Sequence, residues 1–233
     1  DIGGEARGKA KVIVHGTKLV KSAPDFQKQK SDCYREQYNW RSYPELDFGA
    51  ALTFYQSFGV NILLPDERAQ GESEGKFITF GVRESRDVRP WVELHNREFG
   101  PEPVFLGGVS MGATTVLMAA GGPLPENVRG IMADCGFSSP WEIMAAVAKH
   151  RAHLPAFPML YLVNFWCRLL AGFDGKEGST VQAMARNRLP VFFAHGQADN
   201  FVPWAMTQAA YDAADCEKEL LLVPGAGHGR SYL

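Results

Sequence analysis

The sequence predicts an α/β fold on a mostly parallel sheet, and three observations predict it. Short apolar runs alternate with helical stretches along most of the 233 residues. Most of those runs are apolar on both faces, the pattern of strands in a parallel sheet with helices on both sides. The composition, 45% hydrophobic and 21% charged, excludes a disordered or collagen-like chain, and a chain of this length builds a core without disulfides or a structural metal.

The strands are read at Lys11–His15, Val60–Leu64, Val104–Val109, Val128–Ala133, Val191–His195 and Leu220–Val223. Helices are read between them at Leu46–Phe58, Glu84–Phe99, Met111–Ala120 and Trp204–Ala214. In Glu84–Phe99, the residues Val88, Trp91, Val92, His95 and Phe99 follow the i, i+3, i+4 spacing of a packed face. Pro90 predicts a kink or a late start there. Val104 to Pro125 carries no charge over 22 residues, long enough to raise the question of a membrane span. Gly107, Gly108, Gly112, Gly121, Gly122 and Pro123 interrupt it, so it reads as strand, turn and helix.

Two segments break the alternation. Pro140 to Arg188 contains no readable strand, only apolar and aromatic helical material. It reads as an inserted helical cap, dividing the chain into an α/β core at 1–139 and 189–233 and a cap at 140–188. A longer helical crossover is the alternative. Gly16 to Leu46 is long, polar and aromatic, with Tyr34, Tyr38, Trp40 and Tyr43. It either covers a site or is an irregular surface loop.

The formal net charge is −2, which gives no general attraction to nucleic acid or an anionic membrane. The basic run from Arg7 to Lys30 reads as solvated surface. Cys33, Cys135, Cys167 and Cys216 are scattered, without zinc-ligand spacing. They read as free thiols in a reducing compartment, so the expected location is cytoplasmic, with no metal and no cofactor. The chain begins at Asp1 without a methionine, which leaves room for a removed leader.

Chemistry concentrates in Gly108-Val109-Ser110-Met111-Gly112, a GxSxG pentapeptide. The motif alone is weak, but it follows the strand Val104-Phe105-Leu106 and precedes a helix, the setting of a nucleophile elbow. A serine hydroxyl needs a base, and six histidines are available: His15, His95, His150, His153, His195 and His228. His228 alone lies in a loop just after the last strand, within Pro224-Gly225-Ala226-Gly227-His228-Gly229. His195 ends a buried strand and reads as structural. The acid that orients the base is read as Asp199, just past Val191–His195, with Asp134 as second choice. Cys135, beside Asp134, reads as a buried thiol.

The order Ser110, Asp199, His228 is similar to that of the α/β-hydrolases. The chain resembles the broad serine aminopeptidase-like and prolyl-oligopeptidase-like group of bacterial esterases. Val12-Ile13-Val14-His15-Gly16 resembles the strand and His-Gly turn leading to that family's oxyanion loop. Asp66-Glu67-Arg68-Ala69-Gln70-Gly71-Glu72-Ser73 resembles its D-x-R-G-x-G-x-S segment, with Ala69 where glycine is usual. His195-Gly196-Gln197-Ala198-Asp199 resembles its acid loop. Gly16–Leu46 has no counterpart in the family.

The resemblance implies a cofactor-free serine hydrolase of carboxylic esters, with thioesters, amides or short peptides as further substrates. Ser110, His228 and Asp199 form its expected triad, and the Met111 and Thr17 N–H groups its expected oxyanion hole. Trp141, Phe157, Tyr161 and Trp166 in the insertion are candidate pocket walls, favouring an apolar or aromatic acyl group. Asp66 and Arg68 are expected to hold their loop. The expected partner is a small ester or peptide-like substrate, not nucleic acid, and oligomeric state is not written in these residues. The alternative is a non-catalytic ligand-binding protein on the same scaffold.

Overall fold

The computed structural model of the chain describes residues 11–14, 61–63, 65–70, 73–150 and 157–231. The strands are β1 Lys11–Val14, β2 Asn61–Leu63, β3 Val104–Val109, β4 Val128–Asp134, β5 Val191–Gly196 and β6 Lys218–Val223. They form one parallel sheet in the order β2-β1-β3-β4-β5-β6. The chain builds outward from β1 to β2, returns to the other side of β1 as β3, and builds outward again. The strand order therefore reverses between β1 and β3, and crevices at such reversals bind ligands in open α/β sheets.

The helices are α1 Ser85–Phe99, α2 Met111–Ala120, α3 Pro140–His150, α4 Met159–Trp166, α5 Thr180–Arg186 and α6 Trp204–Ala213, with a π-helical turn at Cys167–Ala171 after α4. Helix α2 packs on β3 and β4, α1 and α5 lie against it, and α6 packs on α5 and β5. Val92, Leu106, Leu117, Ile131, Met184 and Phe193 fill the core between this layer and the sheet. Eight of the ten α2 residues are buried, as expected of a helix that is apolar nearly all round. The expected helix at Leu46–Phe58 lies outside the described residues, as does Gly16–Leu46.

Two expectations need adjustment. Strand β6 begins two residues earlier than expected, at Lys218, and its Glu219 and Leu221 are exposed, since it lies at the edge of the sheet among the described residues. Helix α1 begins at Ser85, ahead of Pro90, and runs to Phe99, so Pro90 does not mark a late start, and burial of Val88, Val92 and His95 holds the helix across it. Ahead of it, the buried Glu84 carboxylate accepts from Thr79 N, Thr79 Oγ1 and Gly81 N at 2.7, 2.6 and 2.9 Å. Arg68 forks onto Asp87 through Nε and Nη2, at 2.6 and 2.5 Å, and Ser73 Oγ donates to the Asp66 carbonyl at 2.8 Å. Those contacts brace the loop. Ala69 has φ +61, the left-handed region in which a Cβ is strained, which is why glycine suits this position.

Among the described residues of 140–188 there is no strand. The segment is not uniform. Helix α5 lies in the main core through Ala183 and Met184, and α3 buries Ile143 against Phe137 and Val202. Helix α4 buries only Leu160 and Asn164. Asn164 ties it down by donating to Asp174 Oδ1 and accepting from Gly175 N, at 2.9 and 2.8 Å.

Candidate active site

Ser110 sits in the turn between β3 and α2 with φ +57 and ψ −117. The turn is tight enough that a Cβ on Gly108 would lie 2.3 Å from the backbone C and O of Gly112, so only glycine fits there. The Ser110 N–H donates to the Asp134 carbonyl at 2.8 Å, and its own carbonyl accepts from Thr114 N at 3.0 Å. The strained conformation is thus fixed from β4 and from α2, and it leaves the hydroxyl at the carboxyl end of the sheet.

His228 lies in the loop after β6, its ring between two partners. Nδ1 faces Asp199 Oδ2 at 2.7 Å, and Nε2 faces Ser110 Oγ at 2.9 Å. A carboxylate only accepts, so Nδ1 carries the proton and Nε2 is left to accept from the serine hydroxyl. The Asp199 side chain has no exposed surface, while that of His228 keeps 21%. The edge of Phe201 packs on the imidazole at 5.1 Å between ring centroids.

Asp199 is held on both oxygens. Oδ1 accepts from Phe201 N and Val202 N at 2.8 and 2.9 Å. Oδ2 receives His228 and also faces His195 Nε2 at 3.2 Å. Burial pushes this carboxyl up, but the hydrogen bonds from His195 and His228, the charge of His228 and the Phe201 N–H outweigh it. The net effect holds Asp199 well below the usual carboxylate range.

His195, which the sequence reading set aside as structural, therefore touches the acid. Its Nε2 also faces the Val202 carbonyl at 3.0 Å, and its Nδ1 faces Thr207 Oγ1 at 2.7 Å. Two acceptors at Nε2 place a proton there. The spacing itself carried the signal, because His195 and Asp199 are four residues apart across a strand-end turn.

Asp134, the second choice of acid, does not bond the imidazole. Its Oδ1 accepts from Ser231 Oγ at 2.6 Å, and burial raises its carboxyl from the ordinary aspartate value against the pull of that bond. Cys135 follows with φ +48, fully buried, and burial pushes its thiol well up. Its sulfur, an Asp199 oxygen and a His228 nitrogen lie within 4.8 Å of one another. These donors suit a soft divalent cation, but both Asp199 oxygens are already committed to N–H groups. Hydrogen bonding rather than metal ligation describes the arrangement.

Met111 N–H opens α2, among the first amides of a helix, which have no intrahelical acceptor. Thr17 lies outside the described residues. The half-buried Met111, Phe201, Phe80, Val147 and Met206 pack on Phe137, Ile143 and Val202, a cluster that reaches the site through Met111, next to Ser110, and Phe201, against His228. That wall was not read from the sequence, because its residues come from separate elements.

The aromatics of the insertion divide. Trp141, half-buried on α3, meets Tyr161 edge-on at 5.1 Å, and Tyr161 meets Phe157 at 5.8 Å. Lys176 Nζ lies 4.3 Å from the centre of the Trp141 ring. Trp166 packs instead on Phe165. Phe157, Tyr161 and Trp166 are 72%, 53% and 48% exposed.

No family model matches the chain. It is 29% identical over 182 residues to the uncharacterized protein YqkD of Bacillus subtilis, covering 78% of this chain and 60% of YqkD. The uncharacterized protein YfhR of Escherichia coli K12 is 25% identical over 168 residues, covering 72% and 53%. The chain thus spans between half and two thirds of the length of these relatives. Among solved structures, the Pyrococcus furiosus esterase Pf2001 superposes with a TM-score of 0.66 at 21% identity, over 96% of this chain and 75% of that one. With its parallel sheet, its strand order and a serine at the turn after β3, the chain has the fold of the α/β-hydrolase superfamily.

Proposed function

We propose that this chain is a serine hydrolase that cleaves carboxylic esters, with thioesters, amides and short peptides within reach of the same chemistry. The observation that carries the reading is the position of His228, 2.9 Å from Ser110 Oγ and 2.7 Å from Asp199. Ser110 attacks the acyl carbonyl while Nε2 of His228 takes the hydroxyl proton. Asp199, held as a carboxylate by its N–H donors, steadies the imidazolium. The Met111 N–H, and that of Thr17 by family resemblance, receive the oxyanion. The imidazolium then protonates the leaving alcohol, and water, activated by the same base, releases the acid.

The acyl group in this reading is apolar, lying on the wall of Met111, Phe201, Phe80 and Val147. Within 140–188, α3 and α4 roof the crevice as a cap, with Trp141, Phe157, Tyr161 and Trp166 as outer walls, while α5 belongs to the core. The insertion leaves β4 at the same sheet end as the loops bearing Ser110, Asp199 and His228, which favours this placement. The esterase likeness of the fold adds support.

A fluorophosphonate probe followed by peptide mapping tests the reading. Label is expected on Ser110, and none in Ser110→Ala. A folded chain that takes no label would instead be a ligand-binding scaffold.

A further inference from the structure

His228 is a base on a loop, and a loop residue needs anchors on both sides to hold its ring between two partners. Upstream, the Ala226 carbonyl accepts from Ala198 N at 2.9 Å, tying the loop to the turn after β5. That turn is tight as well, because a Cβ on Gly196 would lie 2.3 Å from the Ala226 oxygen. Downstream, Ser231 Oγ donates to Asp134 Oδ1 at 2.6 Å, tying the loop to the end of β4. Ser231 is 6% exposed, so water competes little for this bond. The other oxygen of Asp134 is buried without a hydrogen-bond partner. A half-satisfied carboxyl at this depth is costly, and packing alone does not explain it.

Asp134 meets the site a second time. Its carbonyl receives the N–H of Ser110 at 2.8 Å. One turn at the end of β4 therefore touches both the residue that attacks and the loop that carries the base. Resting on the serine-hydrolase reading, we propose that Asp134 and Ser231 are a positioning pair that sets the distance between His228 and Ser110. They touch no substrate, and they act by fixing where the imidazole stands.

The test is a double-mutant cycle with Ser231→Ala, Asp134→Ala and the two combined, and with Ser231→Thr as the variant that keeps a hydroxyl. Turnover of a small activated ester, KM, the rate of labelling by the fluorophosphonate and the melting temperature are measured for each. Ser231→Ala should lose about ten- to a hundredfold in kcat and in labelling rate, the scale of a misplacement on the order of an ångström. KM should stay within about twofold, while the melting temperature should fall by a few degrees, because the buried Asp134 carboxyl loses its hydrogen-bond partner. Ser231→Thr should recover most of the rate. The combined variant should lose no more than the worse single one, because a pair that acts as a unit is not additive. Single-variant losses that multiply, or a Ser231→Ala protein that labels at the wild-type rate, overturn the pair while leaving the triad standing. A wild-type protein that does not label at Ser110 overturns both.

Discussion

The turns at the carboxyl ends of β3, β5 and β6 and the stretch from α4 through its π-helical turn are held very differently. Ser110, Asp199 and His228 are each fixed by hydrogen bonds from two or more neighbouring turns. Helix α4 rests on Leu160 and Asn164, while Tyr161, Leu162, Val163, Phe165 and Trp166 remain exposed around most of its circumference. The difference teaches where each kind of change is tolerated. A side chain bound from several directions cannot move without breaking something, so its replacement registers in the rate. A side chain presented to solvent registers only if a substrate or partner meets it.

The comparison is broken most directly at Ser110. Ser110→Ala should lower turnover by about four to six orders of magnitude with the melting curve preserved. A variant keeping a tenth of the rate would move the nucleophile elsewhere. Next, Asp199→Asn should lose about 10⁴ in kcat, because the amide presents a donor where Nδ1–H needs an acceptor. Asp134→Asn should lose far less, and the reverse ranking would transfer the role of acid.

Smaller effects sharpen the contrast between the inner wall and α4. Phe201→Ala and Val147→Ala should alter the ratio of kcat/KM for long and short acyl esters by about 1–3 kcal/mol each. Alanine at Trp141, Phe157, Tyr161 or Trp166 should alter it by that much or less, and leave a small activated ester nearly untouched. If those four variants leave the ratio flat while the wall variants change it, the insertion's aromatics are not pocket walls.

The smallest expected effect is on stability. The native state holds Asp199 below the usual carboxylate range, so it binds this proton less readily than the unfolded chain does. The stability that follows is complete above the ordinary carboxylate range, near pH ~4, and is lost as the pH falls towards the native value. The melting-temperature advantage of the wild type over Asp199→Asn should be constant above about pH 5 and shrink below about pH 4. An advantage that grows on acidification would contradict it.

Much of this was legible in the sequence, for particular reasons. Strand β3 and helix α2 were read to the residue, because Gly108, Ser110 and Gly112 mark the turn between them and apolar residues fill both sides. Ser110, Asp199 and His228 could be named because each follows a strand, and parallel strands bring their ends together. His195 is buried and hydrogen-bonded as a structural histidine, and what the sequence left out is that such a residue also meets the acid from behind. The link from Ser231 to Asp134 was out of reach, since no local pattern joins residues 97 positions apart. The exposure of α4 was equally illegible: Met159–Trp166 is apolar enough to be core, and only the tertiary arrangement leaves it outside.

The strand order also bears on how the chain comes off the ribosome. From β4 onward, each strand pairs with the one made just before it, so that half of the sheet grows by addition at one edge. Among the described residues, strand β1 has only the three-residue β2 beside it until Val104 and its successors arrive. Through that part of synthesis its other edge stays open, and an open strand edge invites pairing with the wrong chain. Closing the gap between Lys11 and Val104 costs loop entropy before any ladder bond repays it. Nascent chains stalled ahead of β3 should therefore need holding by a chaperone, whereas chains stalled after β4 should already have a sheet to protect.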